Sequence, residues 1–371
     1  MLKKSFYTKA ANSYLKLAAF FYLSFMGNIV MGFVFSLVLT LLMLPPLIRL
    51  AKVRGLFVPT NYRKVHKDQV SALGGLAIFS SVLISFLLFV DAVNFPDVRY
   101  VTATALLMFF VGLRDDFHPV SVRMKLFSQL LAVVVLVFFA DIRIDFLSHT
   151  FDGNIGVILD SALSIFLMLW VINSFNFIDG IDLLASLYAF IVFALLGIWF
   201  FITDQFDYSL LLLSLSGAFL AFMIFNYSPS KIFMGDTGTL SVGLLLAITL
   251  LKFDDVNTLI AGSPYQFYSA PGIAFGFISI PFIDSARVAF VRISRGVSPF
   301  KADKNHIHHL FLRLGWSQNK VAISIGLFLI MIIAINYILD SFVWSSWAII
   351  VIDLSLITMM YALLFRALAK K

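Results

Sequence analysis

Residues 173–182 read Asn-Ser-Phe-Asn-Phe-Ile-Asp-Gly-Ile-Asp, two carboxamides and two carboxylates between two long apolar runs. Polar groups at the edge of a membrane span are costly to keep there, so such a cluster marks a functional site by default. On a helix, Asn173, Asn176 and Gly180 would share one face, and Asn176, Asp179 and Asp182 would line another. Oxygen donors of this kind suit a hard cation such as magnesium, although Asn and Asp also cap helix ends.

Four further clusters carry chemistry. His66-Lys67 precedes Gly74-Gly75, a glycine pair that allows either close approach to a ligand or close helix packing. Asp115-Asp116 is followed by Arg123 and Lys125; adjacent carboxylates repel, which raises one pKa and prepares a base. Asn226 leads into Lys231, Phe233 and Gly235-Asp236-Thr237-Gly238, an acid between glycines where a helix begins. The last cluster holds Arg292, Arg295, Pro299-Phe300-Lys301-Ala302-Asp303 and His306-Ile307-His308-His309. No two of these histidines stand four apart, and basic residues interleaved with histidine suit phosphate better than zinc.

The elements that position these clusters are membrane helices. The chain is 61% hydrophobic and 13% charged, where a soluble domain would be about a quarter charged. Its apolar runs are long enough to span a bilayer and do not alternate as barrel strands would. The expected fold is all-α and polytopic, with about 11 spans near 26–48, 73–91, 99–113, 125–140, 158–175, 183–202, 208–226, 237–251, 268–291, 320–339 and 343–365. An interfacial segment is expected before the first span, and a short hairpin in the 141–160 loop. By span parity, 20 of the 27 Lys and Arg fall on one side, which places that side and the C-terminus in the cytoplasm and the N-terminus outside. All five clusters lie on that side. The net charge of +7 follows from this topology and implies no nucleic-acid partner, and with no cysteine, disulfides and thiolate metal sites are excluded.

Carboxylates, carboxamides, cations and glycines on one membrane face are the equipment of metal-assisted phosphoryl transfer to a lipid phosphate. A transporter or lipid flippase would instead place its charges near mid-bilayer in broken helices.

Asp115-Asp116, the 173–182 stretch, Phe233-Met-Gly-Asp236-Thr-Gly and His306-Ile-His308-His309, in this order, resemble the polyprenyl-phosphate N-acetylhexosamine-1-phosphate transferases. The resemblance runs from Lys67 to His309 and treats 1–371 as a single integral membrane transferase domain. It implies that undecaprenyl phosphate attacks the β-phosphate of a UDP-N-acetylhexosamine and releases UMP, at the cytoplasmic face of the inner (plasma) membrane. It further implies Asn176 and Asp236 as ligands of Mg2+, which Mn2+ can replace. Asp115 and Asp116 would contact or deprotonate the lipid phosphate, and Asp179 and Asp182 would stand at the nucleotide end. Phe233 would stack on uracil, Lys67 would contact the nucleotide, and Lys125 and Arg292 would hold phosphate. His306, His308 and His309 complete the substrate-binding set. The form of the last loop is similar to the branch that uses UDP-GlcNAc; the alternative donor is UDP-MurNAc-pentapeptide, and self-association as a homodimer stays open. One departure stands out: the family's Asp-Gly-Leu becomes Asp182-Leu183-Leu184 here.

Overall fold

A computed structural model describes residues 2–56, 70–91, 95–148, 150–151, 153–298 and 305–371, with side chains from Tyr22 onward. Lys67 and the 299–304 segment lie outside the described residues. Among the described residues, twelve helices follow one another: α1 Leu2–Arg54, α2 Gly74–Phe89, α3 Val98–Phe117, α4 Val122–Phe139, α5 Gly153–Ile178, α6 Leu184–Ile202, α7 Phe206–Asn226, α8 Gly235–Leu259, α9 Ala270–Ser294, α10 Ile307–Arg313, α11 Gln318–Ser341 and α12 Ser346–Ala369. Each expected span falls on one of these helices, and α10 is a short addition. Among the described residues, eight helices are long and apolar enough to cross a membrane. The chain is an all-helical polytopic membrane protein.

α1 is one continuous helix from Leu2, which carries both the expected interfacial start and the first span. One local expectation is corrected. The 141–160 region forms no strand among its described residues, and α5 begins at Gly153 instead. The cause lies in Asp160, buried on α5, whose carboxylate accepts the backbone N–H groups of Phe146, Leu147 and Ser148. Those N–H groups are thereby satisfied without a partner strand.

Packing relies on small residues, because apolar side chains alone give little drive for association within lipid. Ser36 of α1 donates to the Ser214 carbonyl of α7 at 2.6 Å, and Ser85 of α2 donates to the Gly32 carbonyl at 2.7 Å. A Cβ on Gly112 of α3 would lie 2.3 Å from the Asp236 carbonyl oxygen, and one on Gly75 would lie 2.2 Å from the Gly238 nitrogen. The Gly74-Gly75 pair therefore serves packing. Its N–H groups donate to the Phe233 and Met234 carbonyls at 2.9 and 2.8 Å, beside a parallel bridge between Ser71 and Ile232. These contacts draw the N-termini of α2 and α8 and the C-terminus of α3 to one end of the bundle.

At the other end, Lys252 pairs with Asp97 at 3.2 Å and Tyr208 donates to Asp97 at 2.8 Å. Asp340 accepts the Ser269 N–H at 2.7 Å. The chemistry predicted from sequence is concentrated at the first end.

Candidate active site

Asp116 closes the last turn of α3 and caps α8. Its carboxylate accepts the N–H of Asp236 at 2.8 Å, the N–H of Thr237 at 2.9 Å and the Thr237 hydroxyl at 2.5 Å. These are first-turn donors that a helix cannot satisfy internally, and the carboxylate also complements the helix dipole. Gly235 makes this possible: its φ is +72°, and a Cβ there would press on the Ala72 carbonyl and both Asp116 oxygens. Burial pushes the Asp116 carboxyl up to about 7 despite the Thr237 and Asp236 donors that favour its charge.

Lys125, in the first turn of α4, bridges two acids. Its Nζ lies 3.0 Å from Asp115 Oδ2 and 2.5 Å from Asp236 Oδ2. The other Asp115 oxygen accepts the Val120 N–H at 2.6 Å. Asn176, near the end of α5, donates to Asp236 Oδ1 at 2.8 Å and to the Thr239 hydroxyl at 2.6 Å. Burial opposes ionisation of Asp236, but its bond with Asp115, the Lys125 ammonium and Asn176 outweigh that and hold its carboxyl at about 2. Asp115 moves the other way, raised by burial and by the Asp236 charge. The structure thus gathers Asp115, Asp116, Lys125, Asn176 and Asp236 from four helices into one cluster.

The rest of the 173–182 stretch divides. α5 ends at Ile178, so Asp179 and Asp182 sit in a turn and do not continue the helical face of Asn173 and Asn176. Asn173 exchanges hydrogen bonds with Gln129, tying α5 to α4. Asp179 is half-buried in the turn. Asp182 is 1% exposed and accepts the Ser230 N–H at 3.1 Å, while its own N–H donates to Gln318 at 2.8 Å. These contacts join the 179–183 turn to the 227–234 loop and to α11. Asn226 has a similar post: its Oδ1 accepts the Leu183 N–H and the Ser186 hydroxyl, and its Nδ2 donates to the Ile232 carbonyl.

Phe233 is half-buried, and its backbone holds the 71–74 segment. Arg292, in the last turn of α9, is 6% exposed. The histidines are less open than a loop reading suggests. His306 is 6% exposed, with Nδ1 2.8 Å from Asp284 Oδ2, and its ring packs against Phe177. His308 is 1% exposed; its ring nitrogens have no hydrogen-bond partner among the described residues, and a Cβ on Gly180 would fall 2.2 Å from Nε2. Burial, reinforced by the neighbouring histidines, depresses its basicity strongly. His309 is half-buried beside it. Sequence reasoning passed over Asp284, yet an acid within the apolar run of α9 was itself a signal.

The donors that converge with Asp236 and Asn176 are oxygens, apart from Lys125, whose ammonium joins two of the carboxylates. No group of three His, Asp or Glu forms a metal-ligating cluster among the described residues. The oxygen set of Asp115, Asp236 and Asn176 fits a hard divalent cation, not a soft one.

Comparison with known proteins gives a consistent picture. A model of glycosyl transferase family 4 matches residues 98–254, a stretch that begins at α3 and ends within α8. The probable undecaprenyl-phosphate N-acetylglucosaminyl 1-phosphate transferase of Bacillus subtilis (strain 168) is 30% identical over 341 residues, covering 88% of this chain and 89% of its own. The undecaprenyl-phosphate alpha-N-acetylglucosaminyl 1-phosphate transferase of Yersinia pestis is 29% identical over 283 residues, 74% of each chain. Its namesake from Escherichia coli (strain K12) is 27% identical over 316 residues, 82% of this chain and 83% of its own.

Proposed function

Because this chain belongs to glycosyl transferase family 4, we propose that it moves N-acetylglucosamine 1-phosphate from UDP-GlcNAc to undecaprenyl phosphate. A phosphate oxygen of the lipid attacks the β-phosphorus. The bond from that phosphorus to the oxygen bridging the two phosphates breaks, UMP leaves with the electron pair, and the sugar phosphate remains on the lipid as a diphosphate. The observation that carries this reading is the Asp115–Lys125–Asp236–Asn176 cluster at the converging ends of α3, α4, α5 and α8. The relatives' names favour GlcNAc over UDP-MurNAc-pentapeptide as donor.

Asp236 and Asn176 would hold Mg2+, or Mn2+ in its place, with Asp115 beside them. When bound, the ion neutralises charge on the diphosphate oxygens. Lys125 supplies a fixed positive charge between two acids, on which transferring phosphate can be held. Asp116 is committed to capping α8, which leaves Asp115 as the group to take the proton from the lipid phosphate. Phe233 offers an aromatic face for uracil, Asp179 and Arg292 would meet the nucleotide, and a nucleotide contact by Lys67 rests on the family resemblance alone. Asp182 acts from behind the site by joining the 179–183 turn to its neighbours. The whole chain works as one unit in the inner (plasma) membrane, with this end facing the cytoplasm, where the basic residues gather and UDP-sugars are present.

The test is incubation of membranes containing the chain with polyprenyl phosphate, Mg2+ and labelled UDP-GlcNAc, UDP-GalNAc or UDP-MurNAc-pentapeptide. Lipid-soluble label with matching UMP from UDP-GlcNAc is expected. Label from the pentapeptide donor alone would overturn the assignment.

A further inference from the structure

Asp284 is a buried carboxylate on α9 that the proposed chemistry does not use, and its hydrogen-bond partners come from three separate parts of the chain. Its Oδ2 faces His306 Nδ1 at 2.8 Å. Its Oδ1 accepts the Ile307 N–H at 3.1 Å, an Arg287 guanidinium N–H at 3.2 Å and the Tyr361 hydroxyl of α12. Arg287 also lies over the Tyr361 ring at 4.5 Å and donates to the Asn305 carbonyl. One carboxylate thus binds the start of α10 to α9 and α12.

What this controls is visible in the rings. His306 precedes α10 and has its ring 5.6 Å from that of Phe177, the residue after Asn176. The ring of His308 also lies near it, parallel to within 4° at 5.9 Å. His308 in turn presses on Gly180. The two histidines therefore brace the 176–180 segment, and Asp284 braces the histidines.

We propose that Asp284 is a positioning residue for the transfer reaction: it fixes a proton on Nδ1 of His306, leaves Nε2 as the ring atom free to exchange a hydrogen bond, and seats α10 against the 176–180 segment. The chemistry is that of a carboxylate–histidine pair, in which the acceptor on one ring nitrogen sets the state of the other. An ionised carboxylate has no hydrogen to give, so Nδ1 must be the donor. The inference rests on the transferase reading for its effect on turnover, but its claim about the ring does not.

The experiment uses the full chain in bilayers with 15N-labelled histidine. His306 is identified by the signals lost in His306→Gln, and turnover is measured with polyprenyl phosphate, Mg2+ and UDP-GlcNAc. In the native chain, His306 Nδ1 is expected to carry a proton. Asp284→Asn keeps the shape and one acceptor, but turns an amide N–H toward Nδ1. The ring proton should move to Nε2, and kcat should fall at least tenfold while the KM for polyprenyl phosphate stays within twofold. In a His306→Gln background, Asp284→Asn should move the ring spectra no further, since the responding ring is gone. A native His306 with its proton on Nε2 alone would overturn the proposal without any variant. So would an unchanged tautomer or native turnover in Asp284→Asn. If the native chain transfers no sugar phosphate while the tautomer is as stated, the transferase reading fails and the positioning of His306 stands.

Discussion

Lys125→Met removes the ammonium that joins Asp115 to Asp236 and keeps most of the apolar stem. Exposed ion pairs are worth about 0.2–1 kcal/mol, whereas stripping one partner from a buried pair costs about 3–5 kcal/mol. The side chains here are 15–25% exposed, between those limits. The expected loss of stability is therefore about 1–3 kcal/mol in the absence of divalent ions. The oxygens that lose the ammonium are the ones proposed to hold a cation. Magnesium should then bind the variant without displacing or sharing space with Lys125. A ligand at a hundred times its Kd stabilises by about 2.7 kcal/mol, enough to close the gap. The assay is thermal unfolding of the purified chain in EDTA and across a magnesium titration. The variant should melt below the native protein in EDTA, and magnesium should raise its midpoint by more than it raises the native one. Turnover should remain low, because phosphate loses its cationic contact. Equal magnesium shifts in both proteins, or no deficit in EDTA, would show that the ammonium and the metal do not address the same oxygens.

Asp236→Asn preserves shape but removes a metal-site charge, and turnover should fall at least about a hundredfold, since even outer-shell partners of metals cost 10–100-fold; near-normal activity at low magnesium, in protein that elutes as a single folded species, would refute the ligand role. Gly112→Ala adds a methyl against the Asp236 and Thr237 backbone, which cannot rotate away, so about 1–3 kcal/mol of strain should appear as a lower melting midpoint and reduced transfer. Gly27→Ala, whose added Cβ has no described neighbour within 4 Å, is the control and should be silent. Asp353→Asn should fold at least as well as the native chain. Asp353 Oδ2 accepts from Asn336 at 3.0 Å, while Oδ1 of each residue is buried without a partner among the described residues, so an added N–H can satisfy both. Asp353→Ala, which strands Asn336, should cost about 1–3 kcal/mol in unfolding assays.

Much of the site was legible because membrane topology restricts where clusters can meet. Helices that alternate in direction bring every second loop to one face, so Asp115, Asn176 and Asp236 were read as neighbours across long stretches of sequence, and the structure joins them through Lys125 and direct hydrogen bonds. Helix content was legible for a related reason: within lipid a backbone has few alternatives that satisfy its own polar groups. Burial was harder to read. Asp179 and Asp182 are the same residue type three positions apart, yet one is half-buried and the other is sealed against Ser230 and Gln318. Residue type reports what a side chain can bind, not what already binds it. The same limit hid Asp284, whose partners come from α10 and α12, far along the chain.

The missing glycine after Asp182 shows how a departure from a pattern can leave a structure intact. Leu183 has φ +69° and ψ −26°, the left-handed region that glycine adopts freely and that costs a side-chain-bearing residue about 1–2 kcal/mol. Two contacts hold it there: its N–H donates to Asn226 Oδ1 at 3.0 Å, and its side chain is buried. Burying a leucine is worth about 1.5–3 kcal/mol, and the hydrogen bond adds about 0.5–1.5 kcal/mol. The sum exceeds the strain, so the turn keeps a glycine-like backbone without a glycine. The neighbours over-determine the conformation, and Asp182 stays aimed at Ser230 because Leu183 is held in place from two sides.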